Sequence, residues 1–139
     1  MKRIFLLLAL TIFAHSALAE DGAATNEAFK SVITEQLQAI ARDDGVSAYA
    51  EAAPNVQHIF PSPDIFMNMV QTGYPQVYRN KQYSFGDAGT DEMGRPYQKV
   101  EILGMDGARY TAIYFMERQA NGSWKISGVV MAKEPETES

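Results

Sequence analysis

Cysteine is absent from all 139 residues of the chain. That excludes a disulfide framework, a thiol nucleophile and a thiolate metal site, so a stable fold must rest on a hydrophobic core. Histidine is nearly absent, with only His15 and His58. No His-x₃-His or His-Glu-x-x-His spacing is therefore possible, and no calcium-loop pattern occurs, so neither a metal nor any other cofactor is expected. There is no Gly-x-Ser-x-Gly elbow and no phosphate-cradling loop, because the ten glycines are dispersed among turns. Basic residues are scarce as well, 12 Lys and Arg against 17 Asp and Glu. A chain this acidic has no general attraction for phosphate backbones or anionic lipid, and nucleic acid is not an expected partner.

Long apolar runs are missing except at the start. Lys2 and Arg3 precede an apolar stretch from Ile4 to Phe13, which has the length of a signal-peptide core and falls short of the roughly twenty residues a membrane span needs. Ala17-Leu18-Ala19 then supplies the small-x-small pattern of a signal-peptidase site. The expectation is a cleaved signal over residues 1–19, a cut between Ala19 and Glu20, no membrane anchor afterwards, and a periplasmic or secreted location. No cysteine follows the cut, so a lipoprotein anchor is excluded. Losing Lys2 and Arg3 leaves 10 basic residues against 17 acidic ones, a formal charge of −7. Residues 20–139 are long enough for one core and no more.

The remaining pattern reads as helices followed by strands. Glu20 to Ala24 is a polar leader, and Phe29, Val32, Ile33, Leu37 and Ile40 then recur at helical spacing. Asn26 is the expected N-cap, and Asp43-Asp44-Gly45 the stop, with Gly45 in the left-handed conformation. A short helix over Val46–Ala53 is expected next, capped by Asp44, and Pro54 opens a turn toward Phe60. Ser62-Pro63-Asp64 is a strong helix start. Ile65, Phe66, Met69 and Val70 form that helix's apolar face, and Gly73 its end. From Lys81 the period changes: Tyr83 and Phe85 alternate with polar residues, and Asp87–Pro96 reads as a loop. Tyr97–Leu103 and Tyr110–Gln119 read as strands, the latter covered on both faces. Asn121-Gly122 is a hairpin signal before a last strand from Trp124. The order implies an α+β roll, with N-terminal helices packed on a curled antiparallel sheet of about four strands over a core spanning about residues 26–133.

Two strings are specific. FPSPDIFMNMVQTGYPQVYR (Phe60–Arg79) and MERQANGSWKISG (Met116–Gly128) resemble the exported bacterial proteins of domain-of-unknown-function family 4864, over roughly Phe29 to Lys133. The helix-then-meander order and the late Gly122-x-Trp124-x-Ile126 strand also resemble the cystatin-like α+β cone shared by nuclear transport factor two, ketosteroid isomerase and scytalone dehydratase. This resemblance implies a cone between sheet and first helix, and a capacity to form homodimers through the outer sheet face. It transfers no activity. The pocket aspartate that ketosteroid isomerase uses as base has no match, since the corresponding strand positions hold Tyr, Ile, Phe, Ser and Val.

Candidate site residues follow from chemistry. Tyr74, Tyr78 and Arg79 cluster in a proline-stiffened connection expected near the mouth of the cone, where tyrosines offer an apolar ring with a polar tip and arginine can clasp a carboxylate. The alternative is a packed corner, with the Arg79 stem on a tyrosine ring and its head paired to an acid. Glu117, if it faces inward, is a buried acid that needs a partner, and Arg79 is the candidate; loss of such a buried partner costs several kcal/mol. Tyr114 lies on the strand face that forms core or cavity wall. His58 has no acid within five positions and reads as a surface residue. Met67 and Met69 point about 200° apart on a helix and cannot readily share a soft metal ion. These features favour non-catalytic binding of a small apolar or amphipathic ligand in a cone-shaped pocket. Two alternatives stay open: an interaction module with a filled cone, and a proton-transfer or lyase-type enzyme with a pocket acid.

Overall fold

The computed structural model describes residues 16–136. The signal segment expected over residues 1–19 falls mostly outside them. No described helix is long and apolar enough to cross a membrane. Five helices precede four strands: α1 (Ser16–Ala41), α2 (Gly45–Ala50), α3 (Pro54–Ile59), α4 (Pro63–Gly73), α5 (Pro75–Tyr78), β1 (Asn80–Thr90), β2 (Pro96–Gly104), β3 (Arg109–Arg118) and β4 (Trp124–Lys133). The strands form one antiparallel meander in the order β1-β2-β3-β4. The fold is thus α+β, with helices on one face of a curled four-stranded sheet.

Alternation along the strands sets the two faces. Gln98, Val100 and Ile102 on β2 and Tyr110, Ala112, Tyr114 and Met116 on β3 are buried, facing Phe29, Ile33, Leu37 and Ile40 of α1. Each fully buried aliphatic side chain contributes about 1.5–3 kcal/mol. The Phe29 ring meets Trp124 edge-on at 4.8 Å, which fixes α1 to the start of β4. Bulges between Phe85 and Ala88 on β1 and between Phe115 and Met116 opposite β4 curl the sheet.

Two of the expected caps form. The Asp44 side chain accepts from Ser47 N at 3.1 Å to start α2, and Ser62 Oγ accepts from Ile65 N at 3.2 Å to start α4.

Several elements differ from expectation. α1 is already helical at Ser16, the first described residue, so Asn26 lies inside it and caps nothing; the alanine-rich run before Asn26 favours helix, and Gly22 alone is too weak a breaker to stop it. Asp43, with φ 57°, takes the left-handed conformation expected of Gly45. Gly45 is needed for space instead, since a Cβ there meets Met67 Cγ at 2.9 Å. On α4 the buried set is Phe66, Met67 and Val70, while Ile65 is exposed. Pro75 does more than end α4, because it occupies the first position of the one-turn helix α5. β1 runs on through Asp87 to Thr90, where a loop is expected. The Gln98 side chain, fully buried, donates to Gly86 O at 2.9 Å and so holds the polar bulge in the sheet.

Candidate functional site

The α2–α3 junction runs along the open edge of β4. Ala53 N donates to Ile126 O at 2.8 Å and Ile126 N donates to Glu51 O at 2.9 Å, a close approach that the small side chains of Ala52 and Ala53 permit. This docking holds α3 beside the strand but leaves a gap between α1, α3, α4 and β4. The gap is a cavity of about 300 Å³. Ile40 from α1, Val56 and Ile59 from α3, Phe60, Phe66, Met69 and Val70 from α4 and its approach, Val77 from α5, and Ile126 and Val129 from β4 make its wall apolar.

Four polar side chains interrupt that wall, and none of the lining residues is charged. Asn55 Nδ2 donates to Ser127 O at 3.0 Å, and Ser127 Oγ donates to Phe115 O at 3.1 Å. The Tyr74 hydroxyl donates to Val129 O at 3.2 Å, tying the end of α4 to the strand edge. Gln36, only 4 % exposed, donates from Nε2 to Ala48 O at 3.3 Å. The sequence signal for Gln36 was available: Ile33, Gln36, Leu37 and Ile40 share one face at spacings of three and four, so an amide interrupts the apolar stripe of α1. The expectation of a chamber between the whole concave face and α1 needs correction. Tyr114, Val100 and Ile102 fill the β2–β3 side with no exposed surface to speak of, and the open volume lies at the β4 edge.

The five candidate residues separate. Tyr74 lines the cavity. Tyr78 and Arg79 instead form a clasp with Asp43 at the end of α1: the Tyr78 hydroxyl donates to Asp43 Oδ1 at 2.7 Å, and an Arg79 nitrogen lies 2.9 Å from Asp43 Oδ2. Arg79 also donates to Ile40 O at 3.2 Å, and its guanidinium stacks 3.9 Å above the Tyr78 ring. The hydrogen bond from Tyr78, then those from Arg79, hold the Asp43 carboxyl below the usual carboxylate range. This is the packed corner, with Asp43 as the acid. The Arg79–Glu117 pair does not form. Alternation turns Tyr114 and Met116 inward and so sends Glu117 to the outer face, where it is exposed beside Gln119. Tyr114 lies in the core with its hydroxyl unpartnered among the described residues, and burial pushes that phenol up from its ordinary value.

Other reactive groups lie away from the cavity wall. His58 is exposed in the last turn of α3. Met67 packs toward Gly45 and Met69 toward the cavity, so the two sulfurs face different surroundings. Burial pushes the Glu51 carboxyl up while the Lys125 charge opposes it. No group of three or more His, Asp or Glu suited to a metal ion occurs among the described residues.

No curated protein gives a significant sequence match to the chain. One family profile does match, and it covers residues 22–139, the whole of the helical layer from Gly22 and all four strands. The chain therefore belongs to the family described as domain of unknown function DUF4864.

Proposed function

We propose that this protein is exported, loses residues 1–19 to signal peptidase, and acts as a non-catalytic carrier or sensor of a small apolar ligand. The observation behind this reading is the apolar cavity of about 300 Å³ between α1, α3, α4 and β4, which falls at the lower end of the size range of small-molecule sites. The arrangement of helices on a curled meander also favours membership of the cystatin-like cone superfamily, in which such a cavity is a natural place for a ligand. A pocket acid, which a lyase or isomerase reading requires, has no counterpart in this wall of uncharged residues.

Benzene is a suitable first probe because apolar cavities of this size accept it without specific recognition. Titration followed by methyl NMR should give saturable shifts at Ile40, Val70, Val129 and Met69. Linear, non-saturating shifts, or shifts centred elsewhere, would contradict a ligand cavity at this place. A second reading, association through the outer sheet face, is favoured by Val130, which is 52 % exposed there. Phe115, half-buried on the same face, lies 4.2 Å under the Arg95 guanidinium. Sedimentation that shows a dimer at micromolar concentration, lost in Val130→Lys, supports that reading.

A further inference from the structure

Resting on the cavity reading above, we infer that the ligand is an uncharged, largely apolar molecule whose head donates a hydrogen bond, such as an alcohol or an amide, and that Gln36 Oε1 receives it. Gln36 is 4 % exposed, lines the cavity, and gives one of its two Nε2 hydrogens to Ala48 O. That bond fixes which way the amide faces. Its Oε1 accepts no hydrogen bond among the described residues, yet it is not sealed off; the sealed and unpartnered side-chain atoms are Gln98 Oε1 and Tyr114 Oη. A buried carbonyl oxygen left this way in an apolar wall is costly unless water or a ligand donates to it.

The rest of the wall narrows the chemistry. Ser127 and Tyr74 already give their single hydroxyl hydrogens to backbone carbonyls, and Asn55 gives one of its two amide hydrogens. What these groups still present to a ligand is mainly acceptor capacity. No arginine, lysine or histidine lines the cavity to receive a carboxylate or phosphate, and no acid lines it to receive an ammonium. Burying an unpaired charge in such a wall is strongly unfavourable. A neutral donor head on an alkyl body satisfies both conditions.

Three probes of equal reach separate these requirements: 1-octanol, its isomer 1-methoxyheptane, which accepts but cannot donate, and octanoate. Calorimetric or NMR titration of the unaltered protein should show 1-octanol binding about fivefold to tenfold more tightly than the ether, the worth of one net hydrogen bond. Octanoate should bind more weakly than either. Gln36→Met, close in shape but without the carbonyl, should bring the alcohol down to the ether, while Asn55→Ala should leave the preference in place. Equal binding of alcohol and ether overturns this inference and leaves the cavity reading standing, as does tighter binding of octanoate, or a preference erased by Asn55→Ala. Binding of none of the three overturns the cavity reading itself. If Gln36→Met fails to fold, the alcohol-to-ether ratio in the unaltered protein together with Asn55→Ala still decides.

Discussion

At the residue scale, two inward-facing neighbours on β2 and β3 carry the strain of the core. Gln98 and Tyr114 are paired across the strands and fully buried, and Gln98 Oε1 and the Tyr114 hydroxyl have no hydrogen-bond partner among the described residues. A buried unpaired hydroxyl costs about 1–3 kcal/mol. Tyr114→Phe removes it without changing the ring, so denaturant unfolding should show a variant at least as stable as the parent, by up to about 2 kcal/mol. A clear loss of stability would mean that the hydroxyl has a partner. Gln98 is different, since its Nε2 holds the β1 bulge, and Gln98→Leu should loosen β1.

The outer face holds a second residue-scale device. Thr111 Oγ1 lies 3.0 Å from both Glu101 Oε2 and Glu134 Oε1, and a hydroxyl has only one hydrogen to give. The hydrogen bond with Glu134, then partial burial, push Glu101 up, while the same bond holds Glu134 down. The Lys99 charge opposes the rise at Glu101, and that of Arg109 assists the fall at Glu134. The native pair therefore binds its first proton before the unfolded chain does. A raised carboxyl contributes stability that is fully present below the ordinary glutamate value and lost as pH rises through the raised value. Relative to Glu101→Gln, the parent should gain stability on acidification from neutral pH toward the ordinary glutamate range. Parallel pH profiles for the two proteins would contradict a raised Glu101 carboxyl.

At the scale of elements, the caps and the corner carry the testable content. Ser62→Ala removes the bond to Ile65 N and should cost about 1 kcal/mol in denaturant unfolding, with Ser62→Asp restoring most of it. An unchanged midpoint would show that α4 is held by its packing alone. The clasp of Tyr78, Arg79 and Asp43 is half open to solvent, with Arg79 41 % and Asp43 57 % exposed at the side chain. Arg79→Ala should therefore lower the melting temperature far less than Ile33→Ala, whose core truncation costs about 2–5 kcal/mol. Comparable losses would mean that Arg79 serves a buried partner.

The Asp44 and Ser62 caps and the Phe29-to-Ile40 stripe were legible because they depend on local chemistry, whereas the inward face of β3 stayed open, since the strand reads as apolar on both sides. What escaped depended on distant contacts. The strand character of Asp87–Thr90 comes from Gln98 reaching across the bulge, and the partner of Arg79 is Asp43, 36 positions earlier. Tyr74, singled out by its motif, lines the cavity. Gln36 was legible in principle, as a polar residue inside an apolar stripe, but the cavity it faces exists only because α3 docks against the edge of β4.

At the scale of the whole molecule, side chains fill the inner faces of β2 and β3, while a cavity stays open between α1, α3, α4 and the Ile126–Val129 stretch of β4. The same fold therefore supplies a tight core on one side and an uncharged cavity on the other. Filling that cavity with Val129→Phe should abolish benzene and octanol binding while keeping or raising stability, since it replaces lost contacts without creating a new cavity. Unimpaired binding by a folded Val129→Phe would place the ligand elsewhere.

Native mass spectrometry of the protein purified from the cells that make it addresses the ligand directly. The expected result is a reproducible added mass, lost on denaturation, that belongs to a neutral molecule with one hydrogen-bond-donating head. A bare chain in every preparation, with no mass gained on incubation with 1-octanol, would contradict a ligand-binding role.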